Sequence, residues 1–214
     1  MDVEALVTRV ARVVQDASFD NDDILSYINE GLAAVAGEVP LPSLETQGTV
    51  ATVVDQEWTE LPEDFQTHLR FVYSQTRRRK LTILSNLVRL REETVWPEGG
   101  LVQRVAVSGG KLFYSPTPAE SENLDLIYHS RPTPYEGDDA ETDYIPAHIG
   151  PRILLAYACK EIYDLIEDGV DGAKINVQRW EQKYQEQLQE LIMFLGPLYN
   201  RPTGEMSTFD AMRL

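Results

Sequence analysis

The side chains with chemistry to offer are few and scattered. His68, His129 and His148 lie far apart in the chain, and none has a second candidate ligand at helical or turn spacing, so no metal site is expected. The single cysteine, Cys159, sits between Ala158 and Lys160 in a segment of helical periodicity. A small buried residue is the better reading there than a nucleophile, and one cysteine excludes both an intrachain disulfide framework and a multi-cysteine zinc site. No Gly-x-Ser-x-Gly elbow occurs, and "SGGK" lacks the longer spacing of a phosphate loop. The run "EDGVDGAK", around Asp168 and Asp171, has neither the succession of oxygen ligands nor the closing glutamate of a calcium loop, and reads as a helix-breaking turn capped by Asp171. Asp138, Asp139, Glu141 and Asp143 fall in a Pro/Gly-rich loop, where clustered acids are usually solvated. The expectation is a protein without catalysis, metal or cofactor.

The densest functional run is basic: Arg77, Arg78, Arg79 and Lys80, in a chain whose formal net charge is -16. Three readings are open for it. It is an exposed hairpin tip, a salt-bridge surface for the acidic flank of a neighbouring copy or another acidic partner, or a local contact to phosphate, since the guanidinium fork suits carboxylate and phosphate alike. The summed acidic field repels DNA and anionic membranes at long range, so charge balance favours a protein partner.

The elements that must carry these residues follow from periodicity. Val3, Leu6, Val7, Val10, Val13 and Val14 make one helical stripe; "SFDNDD" then supplies N-cap and first-turn acids for a second helix, carried by Ile24, Leu25, Ile28, Leu32 and Val35 and ending near Gly37 and Pro40. From Thr46 the period changes, and Val, Thr, Trp and Tyr between closely spaced turn residues predict strands at 46–54, 58–61, 69–75, 80–84, 104–108, 111–114 and 124–130. A short helix over 86–94 interrupts them, and Gly109-Gly110 marks a tight hairpin. A helix from Pro151, lined by Ile153, Ala156, Ile162, Tyr163 and Ile166, and another over 173–195, lined by Trp180, Tyr184, Leu188, Leu191 and Leu195, form a closing hairpin.

The fold class is therefore α+β: a helical bundle of two N-terminal and two C-terminal helices, with an inserted, mostly antiparallel β region and an extended C-terminal tail. The divisions are residues 1–40 for the N-terminal helices, 41–135 for the β-rich insertion, 136–150 for the acidic loop, 151–196 for the helical hairpin and 197–214 for the tail. The tail has turn formers and no sustained period, yet it carries Leu198, Tyr199, Met206, Phe209, Met212 and Leu214. These read either as a frayed end or as anchors that become buried only against another chain. The N-terminal segment, interrupted by Glu4, Arg9 and Arg12, is neither a secretory signal nor a membrane span, which predicts a soluble, cytoplasmic product.

The succession of features resembles the head-to-tail adaptor (connector) family of tailed bacteriophages. The resemblance is carried by "FDNDDILSYINEGLAAVA", by the strand–turn–strand "WTELPEDFQTHLRFVY", by "GGKLFYSPTPAESENLDLIYHSRPTP" with its Pro-x-Pro interruptions, and by "IPAHIGPRILLAYACKEIY" followed by "AKINVQRWEQKYQEQLQEL". It spans about Ala17 to Leu191. What it implies is a structural virion protein that docks as a ring, a dodecamer, on the portal protein after DNA packaging. Such a ring extends the channel through which genomic DNA passes without specific binding, and it offers a platform for tail or further neck proteins. The implied place is the neck of the virion, with the host cytoplasm during assembly and no membrane. Another neck or tail-completion protein, meeting the tail tube first, is the alternative; a hydrolase or nuclease would need converging carboxylates or histidines that are not evident.

Overall fold

The computed structural model describes residues 2–92, 100–137, 144–167 and 174–196. The protein is α+β, with five α-helices among the described residues and two sheets in which antiparallel pairing dominates. The described residues divide into a helical unit, from 2–44 and 131–196, and a β unit, 45–130, that interrupts it in sequence.

In the helical unit, α1 (Val3–Val14) starts where the Asp2 carboxylate accepts the Ala5 N–H at 2.9 Å. α2 (Asn21–Glu38) begins with a reciprocal cap: Asp20 accepts from the Asp22 and Asp23 amides, and Asp23 accepts from the Asp20 amide. Such caps satisfy amides that have no intrahelical partner and place acids against the positive helix end. α4 (Gly150–Ile166) is the hub, packed on by α1, α2 and α5 (Ile175–Leu195). A helix covered on several sides must be apolar around most of its circumference. Accordingly Leu154, Leu155, Ala158 and Cys159 are buried together with the expected Ile153, Ala156 and Ile162, whereas Ile166 lies exposed at the helix end. Burial holds the Cys159 thiol protonated, its pKa pushed up to about 12. On α5 the buried residues are Trp180, Tyr184, Leu188 and Leu191.

α2 meets α4 at Gly31, where an added Cβ would lie 2.9 Å from Tyr157 Cδ1. The glycine thus admits the tyrosine ring against the α2 backbone. Asn29, two residues earlier, fastens the chain that returns from the β unit: its amide nitrogen donates to the Tyr135 carbonyl at 3.1 Å and its oxygen accepts the Tyr135 N–H at 2.8 Å.

The β unit contains β1 (Glu45–Ala51), β2 (Trp58–Glu60), β3 (Phe65–Ser74), β4 (Arg79–Lys80), β5 (Thr82–Leu84), the short helix α3 (Leu87–Glu92), β6 (Arg104–Ser108), β7 (Lys111–Ser115) and β8 (Asn123–Ser130). One sheet runs β1-β8-β3-β4 and the other β2-β7-β6-β5. Their inner faces share a core that includes Val72, Val105, Leu112, Leu124, Leu126 and Tyr128. Gly109 and Gly110, at φ +58° and +76°, close the two-residue β6–β7 hairpin as expected, since both positions need positive φ.

The single strand expected over 80–84 is instead two. β4 pairs with β3, β5 pairs in parallel with β6 in the other sheet, and buried Leu81 stands at the switch, its N–H donating to the Val72 carbonyl at 2.8 Å. An alternating pattern fixes which side chains face inward, not which strand they pair with, so the change of sheet leaves the pattern unbroken.

The turn "LPEDF" closes over Tyr128. Phe65 N–H bonds to the Pro62 carbonyl, Tyr128 donates its hydroxyl to Asp64 Oδ1 at 2.6 Å, and the Phe65 and Tyr128 rings lie 5.5 Å apart. Gly48 on β1 makes room, because a Cβ there would come within 3.0 Å of the Tyr128 ring and 3.3 Å of Pro62.

Candidate partner interface

The basic run does not act as one group. Chain reversal after β3, with Arg78 at φ +53°, turns Arg77 inward while Arg78, Arg79 and Lys80 stay exposed. The Arg77 side chain is 15% exposed and places Nη2 3.9 Å from Oε1 of Glu122, itself 4% exposed. Lys80 Nζ lies 5.3 Å from the centre of the Phe71 ring, which stacks on Tyr73. Arg78 and Arg79 form no ion pair among the described residues.

Glu122 is the polar centre of the β unit, and sequence reading missed it. Its carboxylate accepts from the Ser74 hydroxyl and from the Val102 N–H, the latter at 3.2 Å. Its backbone exchanges bonds with Thr52: the Thr52 N–H donates to the Glu122 carbonyl and the Glu122 N–H to Thr52 Oγ1, each at 2.9 Å. One buried acid thus ties the end of β1, the β3 turn, the approach to β6 and the start of β8. A buried carboxylate is tolerable only with such donors and a nearby cation. Arg77 is therefore part of the structure of the turn, which leaves Arg78, Arg79 and Lys80 as its outward charge.

The histidines also regroup. β3–β8 pairing sets Thr67 opposite His129 and brings the His68 and His129 rings edge to face at 5.6 Å, a proximity their separation in sequence does not suggest. Burial lowers the pKa of both imidazoles. His148 belongs to the helical unit, with its ring 5.0 Å from Phe194. Among the described residues no group of three or more His, Cys, Asp or Glu side chains is placed to hold a metal ion. Asp138, Asp139, Glu141, Asp143, Asp168 and Asp171 lie outside the described residues.

So do the six apolar tail residues, Leu198, Tyr199, Met206, Phe209, Met212 and Leu214. The last turn of α5, which leads into them, exposes Met193 (78%) and Phe194 (58%). A second surface feature lies on α2, where an open groove of about 630 Å³ runs between the helix and the returning segment 134–136. Among the described residues no helix is long and apolar enough to cross a membrane.

With an α+β chain and its exposed features in view, comparison with known proteins supplies the class. The SU10 adaptor protein family model matches residues 1–205, and the chain belongs to that family, a family of phage head–tail adaptors. The class is structural, and membership implies interaction with phage portal and tail proteins. No curated protein matches the chain significantly.

Proposed function

We propose that this protein docks as a ring, a dodecamer, on the portal after DNA packaging, extends the DNA channel and forms the platform to which the tail attaches. The family match over residues 1–205 carries this reading. In it, α1, α2, α4 and α5 form the body of the subunit and pack against neighbours around the ring. Residues Leu198, Tyr199, Met206, Phe209, Met212 and Leu214 reach portal or the adjacent copy and are buried on binding, as continuations of the apolar surface begun by Met193 and Phe194. Arg78, Arg79 and Lys80 meet an acidic partner. DNA passes without adhering, because a ring of chains each at net charge -16 repels phosphate.

Native mass spectrometry of the protein mixed with its cognate portal ring tests this reading. Addition as a defined multiple, abolished by deleting 198–214, is the expected result. Indifference to portal together with binding to a tail-tube protein would instead make it a tail-completion protein.

A further inference from the structure

The acidic partner of the basic turn can be identified from charge and shape. The groove on α2 is built on one helix face: Asp22, Leu25, Asn29 and Glu30 follow at spacings of three, four and one, and Tyr135 and Glu136 form the opposite bank. Its lining combines apolar Leu25, Ala33 and Pro134 with the carboxylates of Asp22, Glu30 and Glu136. None of these three forms an ion pair among the described residues. The negative field there also reaches Tyr27, whose pKa is raised first by burial and then by Glu30, Asp23 and Glu161. The bank is held in place by the two Asn29–Tyr135 hydrogen bonds, so the groove is formed before anything enters it.

The β unit offers the complement. Arg78, in the chain reversal, and Arg79 and Lys80, in the short strand β4 that follows, are three exposed cations beside the Arg77–Glu122 pair, with Lys80 lying over the Phe71 ring. Three unpaired carboxylates and three exposed cations on one strongly acidic chain are matched in number and opposite in sign.

We propose that the Arg78–Lys80 turn of one copy seats in the Asp22–Glu30–Glu136 groove of the next copy. The inference rests on the ring reading above and names the contact that closes the ring. Because turn and groove are different surfaces, the contact is heterologous and propagates head to tail, as a cyclic assembly requires. It also gives a reason for four consecutive basic residues in an acidic protein: copies of like net charge repel at long range, and this register supplies a local attraction.

Two charge reversals test it, with native mass spectrometry on portal rings as the readout. The turn variant R78E/R79E/K80E and the groove variant D22K/E30K/E136K should each bind alone at least about tenfold less well than the unaltered protein, since each faces like charge with like. A 1:1 mixture should recover, because the reversed turn fits the reversed groove, the native turn fits the native groove, and a ring of even copy number closes by alternation. Recovery also shows that both variants fold. The neutral R78Q/R79Q/K80Q should fall between, and raising salt should weaken the unaltered assembly. If the unaltered protein adds to portal and the variants add equally well, or the mixture fails to recover, the turn–groove contact is wrong and the adaptor reading stands. If the unaltered protein does not add to portal at all, the adaptor reading fails and this inference falls with it.

Discussion

Replacing Glu122 by alanine removes the acceptor on which the β unit converges. The Val102 N–H, which lies 3.2 Å from Oε1, and the buried Ser74 hydroxyl both lose their partner. An unsatisfied buried donor costs about 1–3 kcal/mol. Arg77 loses the carboxylate 3.9 Å from Nη2. At an effective dielectric near 20 that attraction is about 4 kcal/mol gross, most of it offset in the intact protein by the desolvation of both charges. The net contribution of the pair is therefore small, whereas the cost of stranding Arg77, which has no other partner for its buried nitrogens among the described residues, is not. Together these give a destabilisation of about 3–5 kcal/mol for Glu122→Ala, a large part of the stability of an ordinary domain. Arg77→Met, which leaves Glu122 with its Ser74 and Val102 donors, should cost about 1–2 kcal/mol. The double variant should cost at least about 1 kcal/mol less than the sum, because no charge remains stranded. Urea unfolding read through hydrogen exchange of the β8 amides follows the β unit apart from the helical unit. Strict additivity, or a cost under about 1 kcal/mol for Glu122→Ala, would mean that Glu122 is not the buried acceptor on which these donors converge.

Two further perturbations test other parts of the account. Gly31→Ala should destabilise by about 1–3 kcal/mol in thermal unfolding even though alanine is the better helix former by about 1 kcal/mol, because its Cβ would meet the Tyr157 ring; a stabilised variant would mean that α2 and α4 do not pack there. Burial lowers the folded-state pKa of His68 and His129 below the unfolded value near 6.5, so on acidification the unfolded chain takes up protons first. Their stabilising effect is complete above about pH 6.5 and is lost as pH falls through the folded values, with a slope of at most about 2.7 kcal/mol per pH unit for two protons. Urea titrations should show this slope begin just below pH 6.5, and H68Q/H129Q should flatten it; an unchanged slope in that variant would place the titrating groups elsewhere.

Local signals made much of the fold legible. Asp20 and Asp23 mark the start of α2, Gly109-Gly110 mark the β6–β7 hairpin, and Leu-Pro-x-Asp-Phe marks a turn, because each acts within a few residues of itself. What escaped were choices made by distant partners. Nothing near Leu81 says that the chain changes sheet there, and β5 finds its parallel neighbour 22 residues on. Glu122 stands among polar loop formers in "SPTPAESEN", and only the convergence of Thr52, Ser74, Arg77 and Val102 makes it a buried hub. The same convergence separates Arg77 from Arg78, Arg79 and Lys80, which as a sequence are four similar cations.

The most direct test of the central claim is electron cryomicroscopy of the portal vertex in assembled virions of the source phage. The expected density is a ring of this protein seated against the portal on the tail side, coaxial with the DNA channel, with the Arg78–Lys80 segment of each copy in the α2 groove of its neighbour. A portal that contacts the tail with no density for this chain between them, or this chain found only farther down the tail tube, would contradict it.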